Sequence, residues 1–283
     1  MIYEIKNDIL TVQIASLGAE MVSVKKNGKE RMWQNENGGW DGHAPILFPK
    51  CGDCSTIIGG VKYPMGGHGI ARKAEFSVLE RDENFIKMGF SSDEKTKTVY
   101  PYDFEFAVTY RLDGEKLSIE YAAKNLSDVP MYAFFGSHES YSLDGEIEEY
   151  EAIFPKEESF VSLIHNGDVH GLTGESVDFG KGTRLQFPRE FMEDNTLIFA
   201  NVNSREVEVR KIGGESVCRV WFEGFDNLLF WRPAGSKMIC VEPWHNLPDL
   251  LTEPLKDFSE RAGVQTIESN QTKAFTHIIE YCG

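Results

Sequence analysis

Three short segments combine an ionisable side chain with neighbours that allow a small molecule to approach it. His68 lies between Gly67 and Gly69, and glycine lacks the side-chain bulk that would keep a ligand away from the imidazole. His138 and Glu242 each follow an apolar run, where a strand end would present them to a ligand. An imidazole that titrates near neutral pH, with a carboxylate, suits general acid and base catalysis. Structural roles, such as a glycine-rich turn or a hydrogen-bonded strand end, stay open at this point.

Motifs for cofactors are missing from the sequence. Arg72 stands where the dinucleotide fingerprint needs its last glycine, and the zinc-protease spacing His-Glu-x-x-His does not occur. Cys51 and Cys54 have C-x-x-C spacing without the second pair of a zinc site, so we interpret them as two unlinked thiols. We interpret His165 and His170 as part of a solvated turn. The sequence therefore predicts neither a metal nor an organic cofactor.

Alternation of apolar and polar residues predicts β-strands along nearly the whole chain. The predicted strands are 9–14, 20–24, 31–33, 76–79, 85–90, 104–112, 116–124, 131–136, 147–154, 196–200, 207–212, 217–222, 228–231, 238–241 and 274–281. The dipeptide Asn27-Gly28 predicts a type I′ hairpin turn, and Pro243 is expected to end its strand just after Glu242. Only residues 248–251 and 254–261 have helical character. We expect a large antiparallel β-sandwich that forms a single domain over residues 1–283.

The charge of the chain excludes some classes of partner. Lysine and arginine number 29 against 45 aspartates and glutamates, which gives a formal net charge of −16 at pH 7. Such a chain is repelled by nucleic acids and by anionic membrane surfaces. The N-terminus lacks an apolar signal region, and the five cysteines are an odd number, as is usual for reduced thiols. We expect a cytoplasmic monomer or homodimer with a small-molecule ligand.

Several motifs together resemble one known family. In chain order they are Ala-Pro-Ile-Leu-Phe-Pro at 44–49, His-Gly-Ile-Ala-Arg at 68–72, Gly-Ser-His at 136–138, Glu-Asp-Asn-Thr-Leu-Ile-Phe at 193–199 and Val-Glu-Pro-Trp-His at 241–245. This series resembles the aldose 1-epimerase (galactose mutarotase-like) family, and within it the LacX-like branch. The resemblance extends over essentially the whole chain. It implies a β-supersandwich fold and the interconversion of the α and β anomers of an aldose.

The resemblance also implies a role for individual residues. Glu242 matches the general base, which takes the proton of the anomeric hydroxyl, and His138 matches the general acid, which protonates the ring oxygen. His68 matches a histidine that binds near that oxygen, and Asp194 matches an aspartate that holds sugar hydroxyls. Trp244 either offers a flat face to a sugar ring or packs beneath its loop. These groups would open the ring without a metal or cofactor.

The ordinary pKa values of these side chains fit the roles. A glutamate with a pKa of about 4.3 is ionised at pH 7 and needs no special environment to act as a base. A histidine with a pKa of about 6.5 keeps its proton if a nearby carboxylate raises that value slightly. We therefore expect Glu242 to have an ordinary pKa and that of His138 to be raised.

One departure from the family pattern bears on the substrate. Asp53 occupies the position where relatives commonly have an arginine that helps to bind the sugar. Lys50 or Arg72 would then supply the missing donor, and Arg72 with Lys73 could instead form part of a site for a hexose 6-phosphate. Because an aspartate repels phosphate, a free aldohexose is the favoured substrate, with a hexose 6-phosphate as the alternative.

Two other kinds of protein remain as alternatives. A carbohydrate-binding protein without catalytic activity would stack sugars on Trp40, Trp231 or Trp244 and leave the rate of anomer exchange unchanged. A glycosidase would use Glu242 and a second carboxylate about 5–9.5 Å away, and would release a reducing sugar from a glycoside.

Overall fold

The computed structural model describes residues 1–35 and 38–283, and 51% of the chain is strand against 6% helix. The strands in chain order are β1 Ile2–Lys6, β2 Leu10–Ala15, β3 Met21–Lys26, β4 Lys29–Glu30, β5 Thr56–Ile58, β6 Val61–Tyr63, β7 Ser77–Arg81, β8 Phe85–Ser91, β9 Phe104–Asp113, β10 Lys116–Asn125, β11 Met131–Ala133, β12 Glu139–Ser142, β13 Tyr150–Asn166, β14 Gly171–Gln186, β15 Leu197–Phe199, β16 Glu206–Lys211, β17 Ser216–Trp221, β18 Asn227–Trp231, β19 Met238–Trp244, β20 Gln265–Ile267 and β21 Thr272–Tyr281. The α-helices are α1 Glu94–Lys97 and α2 Arg189–Met192, and single 3-10 turns occur at Ala71–Lys73, Ile147–Glu149 and Phe258–Glu260.

The largest sheet has nine antiparallel strands in the order β14-β13-β16-β17-β21-β10-β9-β8-β7. Its central strands alternate strictly between buried and accessible residues, as in β9, where every second residue from Phe104 onward is buried. A strand with this period buries one face of the sheet and leaves the other to solvent. The nine-stranded sheet therefore has one apolar face on which a second layer packs.

A four-stranded sheet, β12-β19-β18-β15, belongs to that second layer. Phe135, shortly before β12, packs against Phe275 of β21 with ring centroids 5.0 Å apart, and Phe48 stacks on Phe106 of β9 at 4.2 Å. Between the two sheets, Glu139 Oε1 lies 3.1 Å from His277 Nε2 in a buried hydrogen-bonded contact. The predicted all-β fold, a large antiparallel sandwich, is confirmed.

Smaller sheets complete the structure. Strands β1 to β4 form an antiparallel sheet in chain order, and β5 with β6 forms a separate hairpin. The predicted turn at Asn27-Gly28 is confirmed, because both residues have positive φ, 49° and 80°, and Lys26 pairs with Lys29 across them. Positive φ at both central residues is the requirement of a type I′ turn.

Several predictions about individual elements are wrong. Residues 248–251 are not helical, only the 3-10 turn Phe258–Glu260 lies within 254–261, and residues 31–33 are not a strand. The alternation of apolar and polar residues does not predict β14, whose residues are mostly exposed and whose pairing with β13 is interrupted by register shifts. Such a strand lacks the apolar alternation that marks a half-buried one.

The prediction that Pro243 ends its strand is wrong. Strand β19 continues to Trp244, and Pro243 pairs with Leu228 of β18. A proline lacks only the N–H group, and its carbonyl oxygen here accepts a hydrogen bond from the Ser137 amide at 3.2 Å. Glu242 therefore lies inside a paired strand, which holds its backbone on both sides.

In the residues that the structure describes, no helix has both the length and the apolar character needed to cross a membrane.

Candidate active site

A cavity of about 340 Å³ lies on the face of the four-stranded sheet that carries Glu242 and Leu229, and it brings together most of the predicted site residues. Its volume is within the usual range for small-molecule sites. The lining residues are Trp40, Pro45, Gly52, Asp53, His68, Arg72, His138, His165, Thr196, Ile198, Leu229, Trp231, Glu242, Trp244 and Pro248.

The register of the four-stranded sheet places the two predicted catalytic side chains side by side. Glu139 pairs with Val241, so His138 lies opposite Glu242, and the bridge between Gly136 and Trp244 continues the same register. His138 Nε2 is 3.5 Å from Glu242 Oε1. Residues directly opposite each other on adjacent strands point to the same face of the sheet and lie close together, however far apart they are in sequence.

The same row of side chains extends across the sheet into the cavity. Ile198 pairs with Leu229, and Leu229 pairs with Glu242, so these three residues of β15, β18 and β19 line the cavity together. Trp231 lies two residues beyond Leu229 on the same face, and it pairs with Cys240. The cavity floor is therefore a regular sheet surface, which holds Glu242 more firmly than a loop would.

Burial shifts the pKa values of the two central groups in opposite directions. The pKa of Glu242 is raised well above its ordinary value, chiefly because burial disfavours the carboxylate and secondly because Glu139 carries a negative charge nearby. Burial lowers the pKa of His138 to about 4. The expectations of an ordinary glutamate and a histidine with a raised pKa are wrong, because desolvation of the imidazole outweighs the effect of neighbouring carboxylates.

His68 is held in one tautomer by the loop that contains Gly52. The amide of Gly52 donates to Nδ1 of His68 at 3.1 Å, and the amide of His68 donates to the Gly52 carbonyl at 3.1 Å. Since Nδ1 accepts a hydrogen bond, a neutral imidazole carries its proton on Nε2. Burial lowers the pKa of His68 well below its usual value, so the ring is neutral at pH 7 and Nε2 is a donor.

Three tryptophans form the aromatic wall around the histidines. Trp40 stacks on the His138 ring at 5.1 Å, and Trp231 meets the same ring edge to face at 5.5 Å. Trp244 is nearly buried and donates from Nε1 to the Ser137 carbonyl at 3.1 Å, which fixes the residue next to His138. Two roles were expected for Trp244, stacking on a sugar ring or packing beneath its loop. The structure favours packing beneath the loop.

The cation that faces the cavity is Arg72, in the 3-10 turn Ala71–Lys73. Within the described part of the chain it makes no ion pair, and its Nε has no hydrogen-bond partner. Lys50, the other predicted donor, is buried and its Nζ donates to the carbonyl oxygens of Cys54 and Met65. Lys50 thus ties two loops together and does not reach a ligand.

Asp194 does not lie in the cavity. It is exposed in the turn after α2, where the Asn195 amide donates to the Phe191 carbonyl at 3.0 Å. Its motif contributes Thr196 and Ile198 to the cavity instead, two residues that share one face at the start of β15. Side chains two residues apart share a face only within an extended strand. Asp194 lies in the turn before that strand, so it does not share the face of Thr196 and Ile198.

The interpretation of His165 as part of a solvated turn is wrong, because this histidine and its neighbour Asp53 both line the cavity. His165, at the end of β13, lines the cavity, and its Nε2 is 4.0 Å from Asp53 Oδ2. His170 Nδ1 lies 3.1 Å from the same oxygen. Leu163 and His165 are two residues apart in β13, and this spacing could have indicated that His165 lies on a strand. The polar residues at 167–170 favoured a turn instead.

The thiols are all free, as expected for Cys51 and Cys54, and both of these are buried. A different cysteine joins a group with metal-ligand atoms: His138, Cys240 and Glu242 each present one such atom, and the three atoms lie within 4.8 Å of one another. The sequence gives no sign of this group, because the register of the sheet brings together two residues of β19 and the residue directly before β12.

The central groups can exchange protons with a bound molecule. Neither oxygen of Glu242 has a hydrogen-bond partner among the described residues, and the residue is 1% exposed. A buried polar group without a partner carries a desolvation cost of about 1–3 kcal/mol, which a ligand hydroxyl would offset. The site thus offers an acceptor and donors to a polar ligand the size of a monosaccharide.

Comparisons with known proteins show what this chain is similar to. A family model described as aldose 1-epimerase matches residues 1–259. "Protein LacX, plasmid" of Lactococcus lactis subsp. lactis is 31% identical over 271 residues, 89% of this chain and 90% of LacX, and the chromosomal LacX protein is 30% identical over 275 residues.

Solved structures are similar over the full length. A galactose mutarotase-like protein from Lactobacillus casei ATCC 334 has a TM-score of 0.90 at 25% identity and covers 100% of both chains. A galactose mutarotase related enzyme from Lactobacillus acidophilus has a TM-score of 0.87 at 25% identity, over 99% of this chain and 97% of its own.

Proposed function

Because this chain belongs to the aldose 1-epimerase family, we propose that it interconverts the α and β anomers of a free aldohexose. The observation that carries the proposal is the buried pair of Glu242 and His138, 3.5 Å apart on the floor of a cavity that fits a monosaccharide. The names of the similar structures, galactose mutarotase-like and galactose mutarotase related, support the same class of substrate.

The reaction needs one base and one acid. Glu242 takes the proton of the anomeric hydroxyl while His138 gives a proton to the ring oxygen, and the bond between C1 and that oxygen breaks. The resulting aldehyde turns about the C1–C2 bond. The two groups then exchange roles, and the ring closes on the opposite face of the carbonyl. Each positioned acid or base typically contributes roughly 10²–10⁴-fold.

A single proton shared by the pair supports this cycle. With the pKa of Glu242 raised and that of His138 lowered, the shared proton rests on Glu242 in the empty cavity. Hydroxyl groups of a bound sugar would give the buried charges hydrogen-bond partners and so favour transfer of that proton to His138. The reactive form would then differ from the resting form only by an internal proton transfer.

The remaining polar groups would orient the sugar. His68 presents its Nε2 proton close to His138, since the two rings lie 5.5 Å apart, and is placed to donate to the ring oxygen or a neighbouring hydroxyl. Arg72 and Thr196 offer further donors from other sides of the cavity. Fixed donors of this kind hold the reacting atoms in line, which is a large part of the rate enhancement in most enzymes.

The charges of the cavity favour a free sugar over a phosphorylated one. Asp53 lines the cavity, and the amino group of Lys50 is engaged by backbone carbonyls. Arg72, without an ion pair among the described residues, is the observation that favours a hexose 6-phosphate as second candidate. A single guanidinium in a cavity that also contains a carboxylate provides a weak phosphate site.

Exchange spectroscopy by NMR tests both the reaction and its substrate. The wild-type protein is added to glucose, galactose and glucose 6-phosphate, and the rate of exchange between the α and β signals is measured. We expect faster exchange for a free hexose and a smaller effect on the phosphate. Tight sugar binding with unchanged exchange rates would identify a binding protein, and release of sugar from a glycoside would identify a glycosidase.

A further inference from the structure

We propose that the cavity floor is a binding site for a thiophilic divalent cation such as Zn²⁺, held by His138, Cys240 and Glu242. Such an ion would be an inhibitor, because it would occupy both groups that the reaction needs. The binding rests on the geometry of the three side chains and on the unpartnered oxygens of Glu242. The inhibition rests also on the proposed function.

The sheet brings the three ligand atoms to one place. Cys240 and Glu242 are two residues apart in β19, so their side chains point to the same face, and the register of β12 places His138 opposite Glu242. The ligand atoms of the three residues lie within 4.8 Å of one another. They are positioned by backbone pairing, which needs no metal to form.

The spacing is close to that of a tetrahedral centre. With metal–nitrogen and metal–oxygen bonds of about 2.0–2.2 Å, two ligands of a tetrahedral ion are about 3.4 Å apart. His138 Nε2 and Glu242 Oε1 are 3.5 Å apart without an ion. A metal–sulfur bond of about 2.3 Å places the sulfur about 3.6 Å from the other ligands. Because the three ligand atoms lie within 4.8 Å of one another, Cys240 Sγ needs to approach by about 1.2 Å at most.

Glu242 provides an independent sign that a cation fits here. Both of its oxygens lack hydrogen-bond partners among the described residues, although the side chain is 1% exposed. A buried carboxyl group without a partner is costly, and a bound cation would supply the partner that its oxygens lack. Three protein ligands leave a fourth position, and because His138 and Glu242 line the cavity, water or a sugar hydroxyl bound there would complete the shell.

The donor set determines which ions bind. A thiolate, an imidazole and a carboxylate favour Zn²⁺, Co²⁺ or Cd²⁺ over Mg²⁺ and Ca²⁺, which prefer oxygen ligands. Binding replaces the thiol proton of Cys240 and, when it is present, the carboxyl proton of Glu242, and both protons pass to the solvent. Affinity is therefore expected to rise with pH.

Titration with Co²⁺ tests the site independently of any activity. The full chain is treated with EDTA, freed of chelator and titrated with Co²⁺, whose thiolate complexes have a strong near-ultraviolet charge-transfer band. We expect one Co²⁺ per chain with this band. Because loss of even an outer-shell partner commonly weakens metal binding roughly 10–100-fold, we expect C240S to lose the band and bind at least about 10-fold more weakly.

Two further variants keep the test decisive. C51S removes another fully buried thiol and is expected to retain the band, whereas E242Q is expected to weaken binding if C240S does not fold. A wild-type protein that binds no Co²⁺, or a band that persists in folded C240S, would overturn the site.

Inhibition is measured separately on the same samples. Zn²⁺ is expected to slow anomer exchange by the wild-type protein, EDTA to restore it, and C240S to be less sensitive relative to its own metal-free rate. Equal sensitivity of the two proteins would refute the regulatory part of the proposal. If the wild-type protein shows no exchange activity, the proposed function fails, and the Co²⁺ spectrum still decides whether the metal site exists.

Discussion

Glu242 lies directly opposite His138 in the register of the four-stranded sheet, with Oε1 and Nε2 3.5 Å apart. One backbone register therefore fixes the distance between a carboxylate and an imidazole that come from distant parts of the chain. Because both groups are buried, the protonation state of each depends on the other as well as on solvent.

The rate of anomer exchange is expected to have a bell-shaped dependence on pH. The active pair holds one proton: at low pH both groups are protonated and the base is lost, and at high pH both are deprotonated and the acid is lost. The pKa of His138 is about 4 and that of Glu242 is raised, so the exchange rate should be highest above pH 4 and below the raised pKa of Glu242. Initial rates from pH 3.5 to 9 measure this profile, and a single transition near pH 6.5 would contradict the description of the pair.

Adding a methyl group at Gly136 should disturb the site through its neighbours. A Cβ there would lie 2.6 Å from Cys51 Sγ and 3.0 Å from Trp244 Cδ1. We expect G136A to lose about 1–3 kcal/mol of stability and to lower kcat, because Trp244 fixes Ser137 beside His138. Denaturant unfolding and kinetics measure the two effects. In G66A the new Cβ meets open space, so wild-type behaviour is expected, and an equal loss there would invalidate the explanation.

His245 should make the fold sensitive to acid. Its Nδ1 accepts from the Phe135 amide and its Nε2 donates to the Gly224 carbonyl, and burial lowers its pKa to about 4. Because the folded pKa lies below the unfolded value of about 6.5, stability is lost as pH falls from about 6.5 to 4, by up to about 3 kcal/mol for this group.

Unfolding of the wild-type protein and H245Q across that pH range measures the effect. The variant is expected to be less stable at pH 7, since it loses hydrogen bonds, but to have a shallower dependence of stability on pH. Identical slopes would mean that His245 does not titrate in this window.

Asp194 and Thr196 are expected to differ in their effect on sugar binding. Asp194 is exposed outside the cavity, whereas Thr196 lines it. We expect D194N to leave KM unchanged and T196V to raise it several-fold, since one hydrogen bond is typically worth about 0.5–1.5 kcal/mol. Michaelis kinetics of the two variants decide between these positions. A raised KM in D194N alone would restore the role that the motif implied.

The fold was predictable because it depends on a local pattern. Strands such as β9 and β10 bury every second residue, and this alternation is visible in the sequence. Strand β14 is exposed on both faces and paired irregularly, so its residues do not alternate. The prediction for Pro243 was wrong because it considered only the missing N–H group of proline. In the structure the carbonyl oxygen of Pro243 forms the hydrogen bond that continues the strand.

The site was predictable in its residue types and less so in its geometry. Glu242, His138, His68, Arg72 and Trp244 do line one cavity. The lowered pKa of His138 and the nearness of Cys240 arise from burial and register, which depend on strands far apart in sequence. Such properties follow from the packed structure and leave no mark on a short motif.

The exchange rate of E242Q tests the central claim most directly. Glutamine keeps the shape of the side chain but cannot take a proton, so we expect a loss of roughly 10²–10⁴-fold in anomer exchange with the fold intact. Because the buried carboxyl has a raised pKa, its replacement should leave the protein at least as stable at pH 8. NMR exchange spectroscopy on wild-type and E242Q proteins, with D194N as control, measures the rates. A folded E242Q that exchanges anomers at the wild-type rate would contradict the proposed function.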